Sequence, residues 1–118
     1  MIEPLADMSA QEREVWEWLV AHHAGAENAA PRGGILARYN IYKIPKLSDR
    51  EFRAICAALV TRFSLAVCTT SEGGYYVART PNELARAVAE LEARAVSILD
   101  RARALRNARP LEAQGRLW

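Results

Sequence analysis

Between Pro81 and Pro110 the chain contains neither a glycine nor another proline, and the stretch opens on Thr80-Pro81-Asn82-Glu83. Threonine at an N-cap, proline at the first helical position and glutamate three residues after the cap form a strong helix-start signal. The residues that follow are dense in Ala, Leu, Glu and Arg, so one helix is predicted over 80–108. Leu84, Val88, Leu91, Ala95, Ile98, Ala102 and Leu105 recur at alternating intervals of four and three, the spacing of a heptad seam. A helix of about 25 residues is ~37 Å long, against a radius of gyration of ~13 Å for a 100-residue domain. Its first half is therefore expected to close a core built from the residues before it, with Leu84, Val88 and Leu91 hidden there. The distal half needs another apolar surface. A homodimer is predicted, with Leu91, Ala95, Ile98, Ala102 and Leu105 at the interface.

The core must then come from residues 1–79. Ser9 followed by Glu12 is a capping box, and Val15, Trp16, Leu19, Val20 and His23 follow at helical spacing, with Gly25 as a stop. Residues 26–34 mix Asn28, Pro31, Arg32, Gly33 and Gly34 and read as a loop. Ile35, Leu36 and Tyr39 suit the buried side of a short second helix, and Ile41 to Leu47, with Pro45, reads as a connection. Ser48 with Glu51 repeats the capping box ahead of Phe52, Ile55, Cys56, Leu59, Val60 and Phe63. The other face of that third helix carries Arg50, Arg53, Ala54, Ala57 and Thr61.

After Ser64 the period changes to two, Ser71-Glu72-Gly73-Gly74 signals a turn, and Tyr75-Tyr76-Val77-Ala78 is rich in strand formers. A β-hairpin is predicted. The expected fold is mainly α with a β-hairpin (α+β): a winged helix-turn-helix over 1–79, a long C-terminal helix over 80–108 and a loosely held tail over 109–118.

The net charge of +2 is modest, but it is unevenly placed. Residues 1–31 hold one arginine against six acids, while residues 32–62 hold seven bases against Asp49 and Glu51. A basic block of that kind suits a polyanion, because each neutralised phosphate releases condensed counterions. Catalysis has no recognisable constellation. His22 and His23 are adjacent and point to different sides of a helix, and Gly33-Gly34 and Gly73-Gly74 are too short to cradle phosphates. Cys56 and Cys68 lack metal-ligand spacing and read as buried, reduced thiols. The expectation is a non-enzyme with no cofactor, no metal and no membrane association, located in the cytoplasm of a bacterium or phage-infected cell, since no membrane span or secretory signal is visible.

Three helices followed by a hairpin, the third helix basic on its free face, is the order of a winged helix-turn-helix. The predicted partner is double-stranded DNA. Arg50 and Arg53 lie one turn apart where they can take guanine bidentately, Ala54 and Ala57 permit close approach, and Thr61 extends the same face. Arg32, Lys43 and Lys46 suit phosphates that set register, as do Thr70, Ser71 and Gly73 at the hairpin tip.

Four segments also carry a family resemblance: His23-Ala24-Gly25-Ala26-Glu27-Asn28-Ala29, Leu47-Ser48-Asp49-Arg50-Glu51-Phe52-Arg53, Gly73-Gly74-Tyr75-Tyr76-Val77-Ala78, and Thr80-Pro81-Asn82-Glu83-Leu84 before a long arginine-rich helix. Together, over residues 9–108, the chain resembles small phage and prophage helix-turn-helix proteins. The resemblance implies a winged-helix fold and DNA binding, as in a phage-type transcriptional regulator or replication-associated DNA binder. The chain departs from that pattern at Ile41 to Lys46, where the turn is longer, which bears on the angle between the second and third helices. The alternative is a winged helix used as a protein-interaction module that docks on host polymerase or replication machinery, with Trp18, Tyr42 and Trp118 as candidate surface aromatics and Trp16 shared between that surface and, by preference, the core.

Overall fold

Two serines start two helices by the same chemistry. Ser9 Oγ accepts the Glu12 N–H at 3.1 Å while the Glu12 carboxylate accepts the Ser9 N–H at 2.8 Å; Ser48 and Glu51 repeat the exchange at 3.1 and 2.9 Å. Each box satisfies backbone donors that a helix start leaves unpaired. In the computed structural model, which describes residues 3–114, these boxes open α1 (Ala10–His22) and α3 (Asp49–Thr61). Between them lie strand β1 (Ala30–Pro31) and helix α2 (Arg32–Tyr42). After α3 come β2 (Val67–Thr69), β3 (Gly74–Val77), α4 (Pro81–Arg106) and the one-turn α5 (Leu111–Gln114). Single 3-10 turns occur at Leu5–Asp7 and Ala26–Asn28. The protein is thus mainly helical with a small antiparallel sheet, an α+β fold. It divides into two compact units, the first ending at Ala87 and the second starting at Val88.

In the first unit the sheet order is β1-β3-β2, with Ala30 opposite Tyr75 and Cys68 opposite Tyr76. Helix α1 packs on α3 and β3, and α2 packs on α3 and β1. Val15, Leu19, Ile35, Tyr39, Phe52 and Leu59 are fully buried. The alternation expected for the hairpin holds, and it separates two clusters. Val67, Tyr75 and Val77 join the main core, whereas Cys68 and Tyr76 pack with Ala87 of α4.

The structure corrects several expectations. Residues 26–34 are not a plain loop: Ala30–Pro31 forms the third strand, and Arg32-Gly33-Gly34 forms the first turn of α2. Pro31 is tolerated because β1 is an edge strand, and burial of Ile35 and Tyr39 outweighs the weak propensity of two glycines. Gly25, at φ +93°, lies beyond the end of α1, where His23 is the cap; the Gly25 N–H donates to Val77 O at 2.8 Å. Helix α2 continues to Tyr42, and the connection to α3 is held by Asn40, whose side chain accepts the Leu47 N–H at 2.8 Å and donates to Leu47 O at 2.9 Å.

Val20 and Val60 are exposed, each turned about 100° from the buried leucine before it. Leu84, Val88 and Leu91 are exposed as well, and the only residue of α4 buried in the structure is Ala87. A small side chain lets the helix backbone approach the sheet where a leucine would hold it away. Within the expected tail, Leu111–Gln114 forms a helical turn; Trp118 lies outside the described residues.

In the second unit α4 presents its seam to solvent along its length. Leu91 is 49% exposed and Leu105 67%, and Val96, Ile98 and Leu99 are exposed beside them.

Candidate nucleic-acid interface

Helix α3 is divided cleanly between core and solvent. Phe52, Cys56 and Leu59 are buried and Ile55 is partly so, while Arg50, Arg53, Ala54, Ala57 and Thr61 are all exposed. The five candidate residues therefore share one free surface. Thr61 Oγ1 donates back to Ala57 O at 2.9 Å, which seats its side chain on the helix.

Asp49, the first residue of α3, organises the arginines near it. Its carboxylate meets Arg32 Nε at 2.7 Å and Arg53 Nε at 3.1 Å. The pair raises the Arg32 guanidinium above its ordinary pKa, chiefly through the hydrogen bond that Arg32 donates to Asp49. Asp49 thus ties the start of α2 to the start of α3 and holds Arg53 along its own helix. Arg50 has no ion pair among the described residues and stands exposed in the first turn, two residues after the cap.

The bases of the sequence block differ in what they meet in the fold. Arg62, at the C-cap of α3, meets Glu3 at 2.7 Å and Glu12 at 3.1 Å and lies 5.0 Å over the Phe63 ring. The hydrogen bond to Glu3, with the charge of Glu12 beside it, raises the Arg62 pKa, and the same hydrogen bond lowers that of Glu3. Arg38 and Lys43 line a cleft of about 600 Å³ together with Glu14, Glu17, Trp18, His22 and Tyr42. Lys46 is exposed on the connection to α3. Of the seven bases, Arg38, Lys46 and Arg50 are exposed without an ion pair among the described residues, and Arg53 joins them with one guanidinium edge held by Asp49.

The hairpin tip is partly occupied by its own turn. Thr70 Oγ1 accepts the Gly74 N–H at 2.9 Å, Thr70 O accepts the Gly73 N–H at 3.1 Å, and Gly73 sits at φ +88°. A Cβ at Gly74 would come within 3.0 Å of Thr70 Oγ1, so the strands approach closely there. The Gly73 amide expected to meet a phosphate is thus committed to the turn. Ser71 remains exposed at the tip, next to exposed Glu72.

Sequence reasoning missed two features. The Asp49 bridge joins residues 17 apart in sequence, a contact that no local pattern encodes. The cleft is the other. Trp18 there stands 4.3 Å from His22, 5.7 Å from Tyr39 and 5.9 Å from Tyr42, centroid to centroid. Tyr39 O–H donates to Glu14 at 3.3 Å, and burial pushes its pKa up to about 12. His23 Nδ1 donates to Asn28 O at 2.9 Å, which makes the ring a structural strut.

Among the described residues no three His, Cys, Asp or Glu side chains gather as a metal-binding group, and no helix is long and apolar enough to cross a membrane. Cys56 and Cys68 are free and buried, and burial pushes the Cys56 thiol up to about 12. Comparison with protein-family models, curated proteins and solved structures finds no match to this chain.

Proposed function

We propose that the first unit is a winged helix-turn-helix domain that binds double-stranded DNA through α3. The observation that carries this reading is the division of α3 into a locked apolar face and a free face of two arginines, two alanines and a threonine. The element order supports it: three helices precede the β2–β3 hairpin, and β1 pairs with β3 beside it. A major groove about 12 Å wide admits a helix of this kind, and small residues between arginines let the backbone approach the bases. Arg50 and Arg53 would read bases, with Ala54, Ala57 and Thr61 lining the contact. Lys46, Arg32, Lys43, Ser71 and Thr70 would meet phosphates that set register. Such a protein acts as a phage-type transcriptional regulator or replication-associated DNA binder, and a dimer would address two half-sites.

Fluorescence anisotropy of a labelled random duplex at two salt concentrations tests the reading. Affinity should fall steeply with salt. On a selected site the pair Arg50→Ala and Arg53→Ala should abolish specific binding with an unchanged circular dichroism spectrum, each bidentate guanine contact contributing ~1–3 kcal/mol. Binding that persists in that variant refutes the assignment of α3.

One observation favours a second reading, a protein-interaction module that docks on polymerase or replication machinery. Ile41, Tyr42 and Ile44 form an exposed apolar run at the end of α2, with Ile44 90% exposed. A folded chain without salt-dependent duplex binding would favour that use of the domain.

A further inference from the structure

We infer that the exposed seam of α4 pairs with the same seam of a second copy, and that the two helices run antiparallel. This stands independently of DNA binding. Val88, Leu91, Ala95, Ile98, Ala102 and Leu105 are all exposed on one helix, and Leu99 widens the same face. Covering the seam on both copies removes on the order of 1,200 Å² from water, the lower bound of a specific interface of ~1,200–2,000 Å².

The direction follows from side-chain volume. In a parallel pair each residue faces its own counterpart, so Ala95 and Ala102 form two hollow layers between layers of Leu91, Ile98 and Leu105 pairs. The large layers set the helix separation, and the alanine layers are left under-packed. In an antiparallel pair Ala95 faces the partner's Ile98, Ala102 faces the partner's Leu91, and Val88 faces the partner's Leu105. Every layer then holds one longer and one shorter side chain, and the seam is complementary to itself under a two-fold axis between Ala95 and Ile98. Flanking charge does not choose between the two arrangements. Arg94 meets the partner's Arg101 in the antiparallel pair, as Arg101 meets the partner's Arg106 in the parallel one. Volume therefore decides.

Sedimentation equilibrium and cysteine pairing on the full chain test the inference. Residues 88 and 105 are ~25 Å apart along one helix, far beyond the ~7 Å between Cα atoms that a disulfide spans. Val88→Cys and Leu105→Cys change exposed positions, and Cys56 and Cys68 are buried, so the unsubstituted chain under the same oxidation sets the baseline. The chain is expected to sediment as a dimer at micromolar concentration. Each single variant should stay uncrosslinked on a non-reducing gel, and an equimolar mixture of the two should give a disulfide-linked dimer. Ile98→Asp with Leu105→Asp should yield a monomer with an unchanged near-ultraviolet circular dichroism spectrum, which reports chiefly the aromatic packing of the first unit. A monomeric wild-type chain overturns the interface. A single Leu105→Cys variant that crosslinks to itself as well as the mixture does overturns the antiparallel direction.

Discussion

Helices α3 and α4 are each opened by an N-cap hydroxyl with glutamate three residues on, yet they depend on different physics. Helix α3 buries Phe52, Cys56 and Leu59 in the core and is fixed at both ends: the Ser48 box closes its start, and the Leu65 N–H donates to Leu59 O at 2.9 Å at its end. Helix α4 is twice as long, 26 residues against 13, and buries Ala87 alone. Its helicity rests on residue propensity, the Thr80-Pro81 start and i,i+3 pairs such as Asp100 with Arg103 at 3.6 Å. A strong helix signal in a sequence therefore says how a segment is wound and leaves open what it packs against.

That contrast is broken or sharpened most by core truncation. Phe52→Ala should cost ~3–5 kcal/mol in denaturant unfolding, because a fully buried ring leaves a cavity. Leu91→Ala, at a protein concentration where the chain is monomeric, should stay within ~0.5 kcal/mol of wild type. Equal costs would mean that Leu91 is buried as deeply as Phe52, against its exposure in the structure.

Smaller effects separate the ends of the two helices. Ser48→Ala removes an N-cap acceptor and should cost ~1 kcal/mol, read as a lower urea midpoint. Ser64, which follows α3, holds φ at +54°, a left-handed conformation that glycine adopts without its steric cost. Ser64→Gly should therefore raise stability by about 0.5 kcal/mol, and a loss would show that the serine side chain stabilises the α3 end.

The smallest expected effect is on pH dependence. Glu83 accepts the Ala26 N–H and the Arg79 N–H, each at 2.7 Å, and these hydrogen bonds hold its carboxyl below the ordinary 4.5. Glu51 is lowered by the Ser48 N–H in the same way. A carboxyl whose folded pKa is depressed stabilises the protein above its ordinary value, and that contribution fades as pH falls from about 4.5 through the folded pKa. Urea midpoints should decline over that window, and Glu83→Gln should flatten part of the decline. An identical pH profile in the Gln variant would remove Glu83 from the account.

Much of this was legible because it is local. Ser9 with Glu12, Ser48 with Glu51, and Thr80 with Pro81 act across a few residues, so a capping pattern is nearly sufficient to place a helix start. The free face of α3 was legible for the same reason, since helical spacing alone puts Arg50, Arg53, Ala54, Ala57 and Thr61 opposite Phe52 and Leu59. Strand β1 was not. Ala30-Pro31 has no strand pattern of its own, and pairing with Tyr75 and Gly74, more than 40 residues away, makes it a strand.

By itself, then, the sequence determined where helices begin, which face of each is apolar, and where the period shifts from helix to hairpin, because these follow from the backbone's own hydrogen bonding and the geometry of successive side chains. Tertiary structure alone decided which apolar residues found cover and which charges found partners. It turned Ala87 inward and left the leucines of α4 in solvent, gave Arg62 to Glu3 and Glu12, and set Asp49 between Arg32 and Arg53. Burial and ion pairing are properties of distance in space, and the chain acquires those distances only when its elements close on one another.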